Sequence, residues 1–101
     1  MAHYAVLDIE IHDPEQYGEY MARVAPALKS AGARYLVRGG AHEVLEGDWR
    51  PTRLVILEFP SEGALREFYE SDEYRELKAL RERASSGSVV TVAGIDEQPS
   101  A

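Results

Sequence analysis

Residues 4–11 alternate strictly, and a helix start follows within two residues; this junction constrains the fold more than any other feature of the chain. Ala5, Leu7, Ile9 and Ile11 share one side and Val6, Asp8 and Glu10 the other, as in a strand with one buried face. Asp13-Pro14-Glu15-Gln16 then supplies a capping carboxylate, a proline at the first helical position and a glutamine three residues past the cap. Tyr17, Tyr20, Met21, Val24 and Leu28 recur at spacings of three and four, so the helix presents one apolar stripe. Gly32 fits the left-handed position that closes a helix. Pro26 removes one backbone bond and predicts a kink or a split in the last turns.

Downstream punctuation continues the pattern. Residues 34–46 read as one bent edge strand, bent at Gly39-Gly40, with a short hairpin as the alternative. Trp49-Arg50-Pro51 is the connecting turn, and the apolar run from Arg53 to Phe59 reads as a central strand. Ser61 caps a helix carrying Leu65, Phe68 and Tyr69, and Ser71-Asp72-Glu73 caps a second one carrying Tyr74, Leu77, Leu80 and Ala84. Ser85-Ser86-Gly87 breaks the helix, Val89 to Ala93 forms the last strand, and residues 96–101 are a polar tail after a single domain at 1–95.

The resulting order, βαββαβ, makes this an α+β chain of ferredoxin-like type. Right-handed crossovers give a four-stranded antiparallel sheet with the first and third strands in the middle and the helices on one face. The other face then has no cover from its own chain, although parity assigns Val6, Leu54, Ile56 and Val89 to it. Such a face expects a homodimer joined through the open sheet face, which also supplements the thin core of a 101-residue chain.

Charge and composition exclude several function classes. A net charge of −7 repels phosphate backbones and anionic bilayers, so neither nucleic acid nor membrane is an expected partner. The chain has no cysteine, which rules out thiolate chemistry and disulfides; with no basic-then-apolar leader at the N-terminus, the default expectation is a cytoplasmic protein. The apolar runs fall far short of the roughly 20 residues that cross a bilayer.

Several ordered blocks are shared with a known family. Tyr35-Leu36-Val37-Arg38-Gly39-Gly40, Leu45-Glu46-Gly47-Asp48-Trp49-Arg50-Pro51-Thr52-Arg53, Glu58-Phe59-Pro60-Ser61 and Phe68-Tyr69-Glu70-Ser71-Asp72-Glu73-Tyr74 closely resemble the domain of unknown function 1330 family. Asp13-Pro14-Glu15 with Tyr17 and Tyr20 is similar as well, so the resemblance spans nearly the whole chain. Phe68 stands where the family often has Trp, and Asp72 where it often has Pro. The resemblance implies a dimeric α/β-barrel protein related in shape to small monooxygenases and isomerases, and it implies no agreed activity; shape alone does not transfer chemistry.

Candidate chemistry comes from three groups of residues. Asp8, Glu10 and Glu58 fall by parity on the bare face, where neighbouring strands can bring like charges together; if a partner desolvates them, a carboxyl pKa rises and general acid or base chemistry follows. The plainer reading is a polar rim or an interface salt-bridge network. Arg38 is a candidate for a carboxylate or an anionic ligand, and His42, beside the Gly39-Gly40 bend, for proton transfer near neutral pH. Tyr17, Tyr35, Trp49 and Tyr69 are candidate ligand contacts, each also readable as packing, with Trp49 either anchoring its loop or capping a pocket. His3, His12 and His42 lack metal-ligand spacing, so no metal site is expected, nor is a cofactor.

Two functions fit these residues. One is a small-molecule-binding dimer acting as a cofactor-independent enzyme of proton transfer or oxygenation. The other is a non-catalytic dimeric module that senses a metabolite or engages another protein.

Overall fold

The computed structural model describes residues 1–95; the polar tail expected at 96–101 lies outside them. Its elements are β1 (His3–Ile11), α1 (Pro14–Ser30), β2 (Arg34–Arg38), β3 (Leu54–Phe59), α2 (Glu62–Tyr69), α3 (Asp72–Ala84) and β4 (Ser85–Ala93). The strands form one antiparallel sheet in the order β2-β3-β1-β4, which puts the two most apolar strands in the middle. This is the α+β ferredoxin-like arrangement.

Local sequence accounts for the helix starts. The Asp13 carboxylate accepts from the Gln16 amide at 3.1 Å and from the Gln16 side chain at 2.8 Å, holding the first turn of α1 from both sides. The Ser61 and Ser71 hydroxyls accept from the amides of Ala64 and Tyr74, so the second helical region is two separately capped helices. Pro26 sits inside α1 without dividing it. Pro26 and Ala22 are both exposed, so the Ala22 carbonyl that loses its amide partner lies on the side that water reaches.

The core fills the space between the sheet and the helices. Ala5, Leu7 and Ile9 of β1 and Val55, Leu57 and Phe59 of β3 meet Tyr17, Tyr20, Val24 and Leu28 of α1 and Tyr74, Leu77, Leu80 and Ala84 of α3. Burying the larger of these side chains contributes roughly 1.5–3 kcal/mol each toward offsetting the chain's conformational entropy.

Three expectations need correction. First, the edge strand ends at Arg38 rather than running to residue 46, because Gly39 takes a positive φ of 71° and turns the chain away; residues 39–53 form a long connection without helix or strand. The strand irregularity falls between Tyr35 and Val37, not at the glycines. Second, β4 begins at Ser85, directly after α3, instead of at Val89. The Ser85 hydroxyl donates to the Arg81 carbonyl at 2.7 Å, and the Ala84 carbonyl accepts from His12 and Asp13, so the helix end is satisfied without a loop. Gly87, at φ 156°, lies so near β1 that a Cβ would overlap the Asp8 carbonyl oxygen. Third, Val89 pairs with Leu7 and packs on the core. Val90 and Val92, 60% and 50% exposed, are the valines that join Val6, Leu54 and Ile56 on the bare face.

No helix among the described residues is long and apolar enough to cross a membrane.

Candidate functional site

The sheet separates two chemical environments. On the bare face, Asp8 stands opposite Leu54 and Glu58 opposite Tyr4, four residues apart along β1 and β3. At about 3.3 Å per residue the two carboxylates are some ~13 Å apart, so within one chain they do not meet. Each has local partners instead. Asp8 accepts from the Thr52 amide at 2.8 Å and from the Trp49 indole at 3.0 Å, which holds the end of the 39–53 connection against β1. These donors, Thr52 first, pull the Asp8 carboxyl below its ordinary value. Glu58 accepts from Arg34 Nε at 2.6 Å and from the Tyr4 hydroxyl at 3.4 Å.

His42 lies exposed in the same connection, its Nε2 2.9 Å from the Pro51 carbonyl. Trp49 is 59% exposed even as its indole holds Asp8. Glu58 thus stands apart, whereas His42 and Asp8 share the end of the 39–53 connection, close enough for the His42 charge to add to the lowering of the Asp8 carboxyl, with no hydrogen bond between them among the described residues. Arg38 does not reach the bare-face carboxylates: its guanidinium carbon lies 4.9 Å from the centre of the Tyr35 ring, and Tyr35 packs against the core.

The helix side of the sheet holds a different set. A cavity of about 50 Å³ lies between β1, β3 and the helices, walled by Leu7, Val24, Leu57, Phe59 and Leu65, among others. Into it face Tyr17, Tyr20, Tyr35, Tyr74 and Arg81. Arg81 is only 7% exposed; its Nη1 donates to the Tyr74 hydroxyl at 3.2 Å, and that oxygen lies 3.2 Å from the Tyr20 hydroxyl. Burial pushes all three of Tyr17, Tyr20 and Tyr35 up from the usual phenol value. Tyr74 reinforces this at Tyr20, whereas the Arg53 charge opposes it at Tyr17 and the Arg38 charge at Tyr35. The hydroxyls therefore stay neutral, able both to donate and to accept.

Arg53 precedes β3 in phase with Val55, Leu57 and Phe59, and its guanidinium packs against Gly39. Its Nε is buried with no hydrogen-bond partner among the described residues. The ion pairs of the described residues engage Arg23, Arg34, Arg66 and Arg75, so Arg38, Arg53 and Arg81 have no carboxylate partner there. In a chain with 18 carboxylates and 11 basic side chains, that is the reverse of what charge counting expects.

The cavity opens toward β4. A cleft of about 250 Å³ between β4 and α2 shares Leu65, Tyr69, Val89 and Thr91 with it. Tyr69, 36% exposed, stands at the junction, with Lys78 Nζ 5.1 Å from its ring centre. Phe59, Phe68, Tyr74 and Tyr69 form a run of tilted rings at centroid distances of 5.6, 4.7 and 5.4 Å, a wall suited to a flat apolar molecule.

Of the residues singled out from sequence, Tyr17, Tyr35 and Tyr69 line this cavity; Asp8, Glu58, His42 and Trp49 do not. Arg53 and Arg81 escaped notice, although the sequence carries their signal. Arg81 falls on the stripe Tyr74, Leu77, Arg81, Ala84, and Arg53 alternates with Val55, Leu57 and Phe59, so each is a charge written in phase with buried residues.

Solved structures with this shape differ widely in sequence. A protein of unknown function from Rhodopseudomonas palustris, RPA0582, superposes with a TM-score of 0.75 at 18% identity, covering 94% of this chain and 83% of that one. SnoaB, a cofactor-independent oxygenase from Streptomyces nogalater, gives a TM-score of 0.61 at 12% identity with 97% of both chains covered. An antibiotic biosynthesis monooxygenase gives 0.52 at 16% identity over 95% of this chain and all of its own. At these identities the likeness is one of fold. No curated protein is matched by the sequence. Residues 2–95 match the family model described as Domain of unknown function (DUF1330), and the chain belongs to that family.

Proposed function

We propose that this chain is a cytoplasmic homodimer, joined through the bare sheet face, that binds a small organic molecule on the helix side and transforms it by cofactor-independent proton transfer or oxygenation. One observation carries the binding reading: Arg81 is buried at a cavity and partnered by a tyrosine hydroxyl instead of a carboxylate. Burying an unpaired guanidinium costs several kcal/mol, and a bound molecule that meets it offsets that cost. The cavity alone has room for only a few water-sized groups, so the ligand extends past Tyr69 and Val89 into the outer cleft. Its contacts are Tyr17, Tyr35 and Tyr69 with Tyr20, Tyr74 and Arg81.

The reaction class rests on a fold shared with a cofactor-independent oxygenase and a monooxygenase, and on a cavity with apolar walls that shield a reactive intermediate from water. The bare face supports the dimer through Val6, Leu54, Ile56, Val90 and Val92.

Val89→Trp tests the cavity. Val89 is only partly buried and lines both the cavity and the outer cleft, so a larger ring there obstructs the passage between them. Calorimetric titration with 2-naphthol should show binding to the parent and none to the variant, with both giving the same circular dichroism. Equal binding by the two would remove the cavity from consideration. Oxygen uptake and solvent deuterium exchange with bound naphthols then measure the two reaction classes directly.

A further inference from the structure

We propose that the ligand carries a single oxyanion, a carboxylate or a phenolate-type oxygen, at one end of a flat apolar body, and that Arg81 receives it. This deepens the cavity reading above and rests on it. Three observations assign the charge.

Arg81 is 93% buried, the complement of its 7% exposure, and lines the cavity with one guanidinium nitrogen spent on Tyr74. A guanidinium has five N–H donors. The hydrogen bond to Tyr74 uses one of them, and no carboxylate among the described residues takes the rest. A planar oxyanion matches that fork better than any neutral group.

The surrounding field has the same sign. The charges of both Arg53 and Arg81 act on Tyr17, and those of Arg38 and Arg53 on Tyr35, two tyrosines of the cavity wall, although Arg81 alone of the three lines the cavity itself. The tyrosines do not cancel this charge, because burial holds their hydroxyls protonated. They serve an anion as donors. A cationic ligand would meet the Arg81 charge and no carboxylate in the cavity lining.

The rest of the site limits the ligand to one charge. The capping residues Asp13, Ser61 and Ser71 each hold an amide of their own helix start, and none of the three lines the cavity, so the cavity does not present a helix start to a phosphate. At the outer cleft Glu62 and Glu70 share Arg66, which leaves the mouth one carboxylate in excess and unsuited to a second anionic group. The ring wall of Phe59, Phe68, Tyr74 and Tyr69 takes the apolar body.

The test compares 2-naphthoate with its neutral isostere 2-naphthamide by calorimetry, on the parent, Arg81→Met and Arg81→Lys. The parent should hold naphthoate at least about tenfold more tightly than naphthamide, the scale of one charge-assisted contact. Arg81→Met should erase that preference, lowering naphthoate affinity far more than naphthamide affinity, and Arg81→Lys, keeping charge without the fork, should restore part of it. Bound 2-naphthol should also ionise at a lower pH than free 2-naphthol, read from phenolate absorption, and lose that shift in Arg81→Met. Equal affinity for the two naphthalenes, or a preference that survives Arg81→Met, overturns the oxyanion assignment while leaving the cavity reading intact. Failure of both probes to bind overturns the two together.

Discussion

The two faces of the sheet solve the charge problem in opposite ways. On the bare face the two less exposed carboxylates are partnered, Glu58 by Arg34 and Asp8 by Trp49 and Thr52, while Glu10 is exposed to water. On the covered face, where partnering matters most because water is excluded, Arg81 and Arg53 have no carboxylate among the described residues. A fold shaped by stability alone would arrange this the other way round. The proposed assignment, association at the bare face and binding at the covered one, rests on this contrast.

The largest effect expected from this contrast is on assembly. Val90→Asp places a charge at the centre of the bare face, and it should weaken self-association by at least ~100-fold while leaving the protomer folded, since Val90 is 60% exposed. Light scattering at micromolar concentration measures it. A parent that is already a clean monomer would break the associative half of the comparison.

Arg81→Met should leave assembly unchanged and raise stability, by roughly 1–2 kcal/mol in urea unfolding, because an apolar side chain of similar length replaces a buried charge without a counterion. A loss of comparable size would mean that Arg81 is a structural anchor.

The bare-face carboxylates should behave in the ordinary way. Because its hydrogen bonds lower the folded pKa of Asp8, the stabilisation they provide is present above the unfolded value near 3.8 and is lost as pH falls through the lower folded value. Trp49 is the only tryptophan, so its fluorescence reports the event: the emission should shift as the 39–53 connection loosens, with a midpoint below 3.8. Asp8→Ala should show the acid-state emission already at neutral pH. The smallest effect belongs to Glu58→Gln, which breaks a pair whose arginine is 70% exposed and should cost under ~1 kcal/mol with no change in ligand affinity.

Most of the architecture was legible because its signals are local. Asp13, Ser61 and Ser71 mark helix starts, and the alternation of β1 sorts its two faces unaided. Val89 was misplaced because parity depends on where a strand begins, and the junction at Ser85, held by tertiary bonds to His12 and Asp13, leaves no mark in the pattern. Residues 39–46 of the connection read as strand because Val44 and Leu45 favour it, whereas Gly39 and the hold of Asp8 on Trp49 decide the course of the connection. The site was harder still. Carboxylates and a histidine attract attention as chemistry, while an arginine on an amphipathic helix reads as solvent-facing, so Arg81 was visible only as a charge on the wrong stripe.

The central claim, that the covered face binds and the bare face associates, is tested most directly by backbone amide chemical shifts during titration of the parent protein with 2-naphthoate. The shifts should centre on Tyr17, Tyr20, Tyr74, Arg81 and Val89, with Val6, Ile56 and Val90 unmoved. Shifts centred on Val6, Ile56 and Val90 would contradict it.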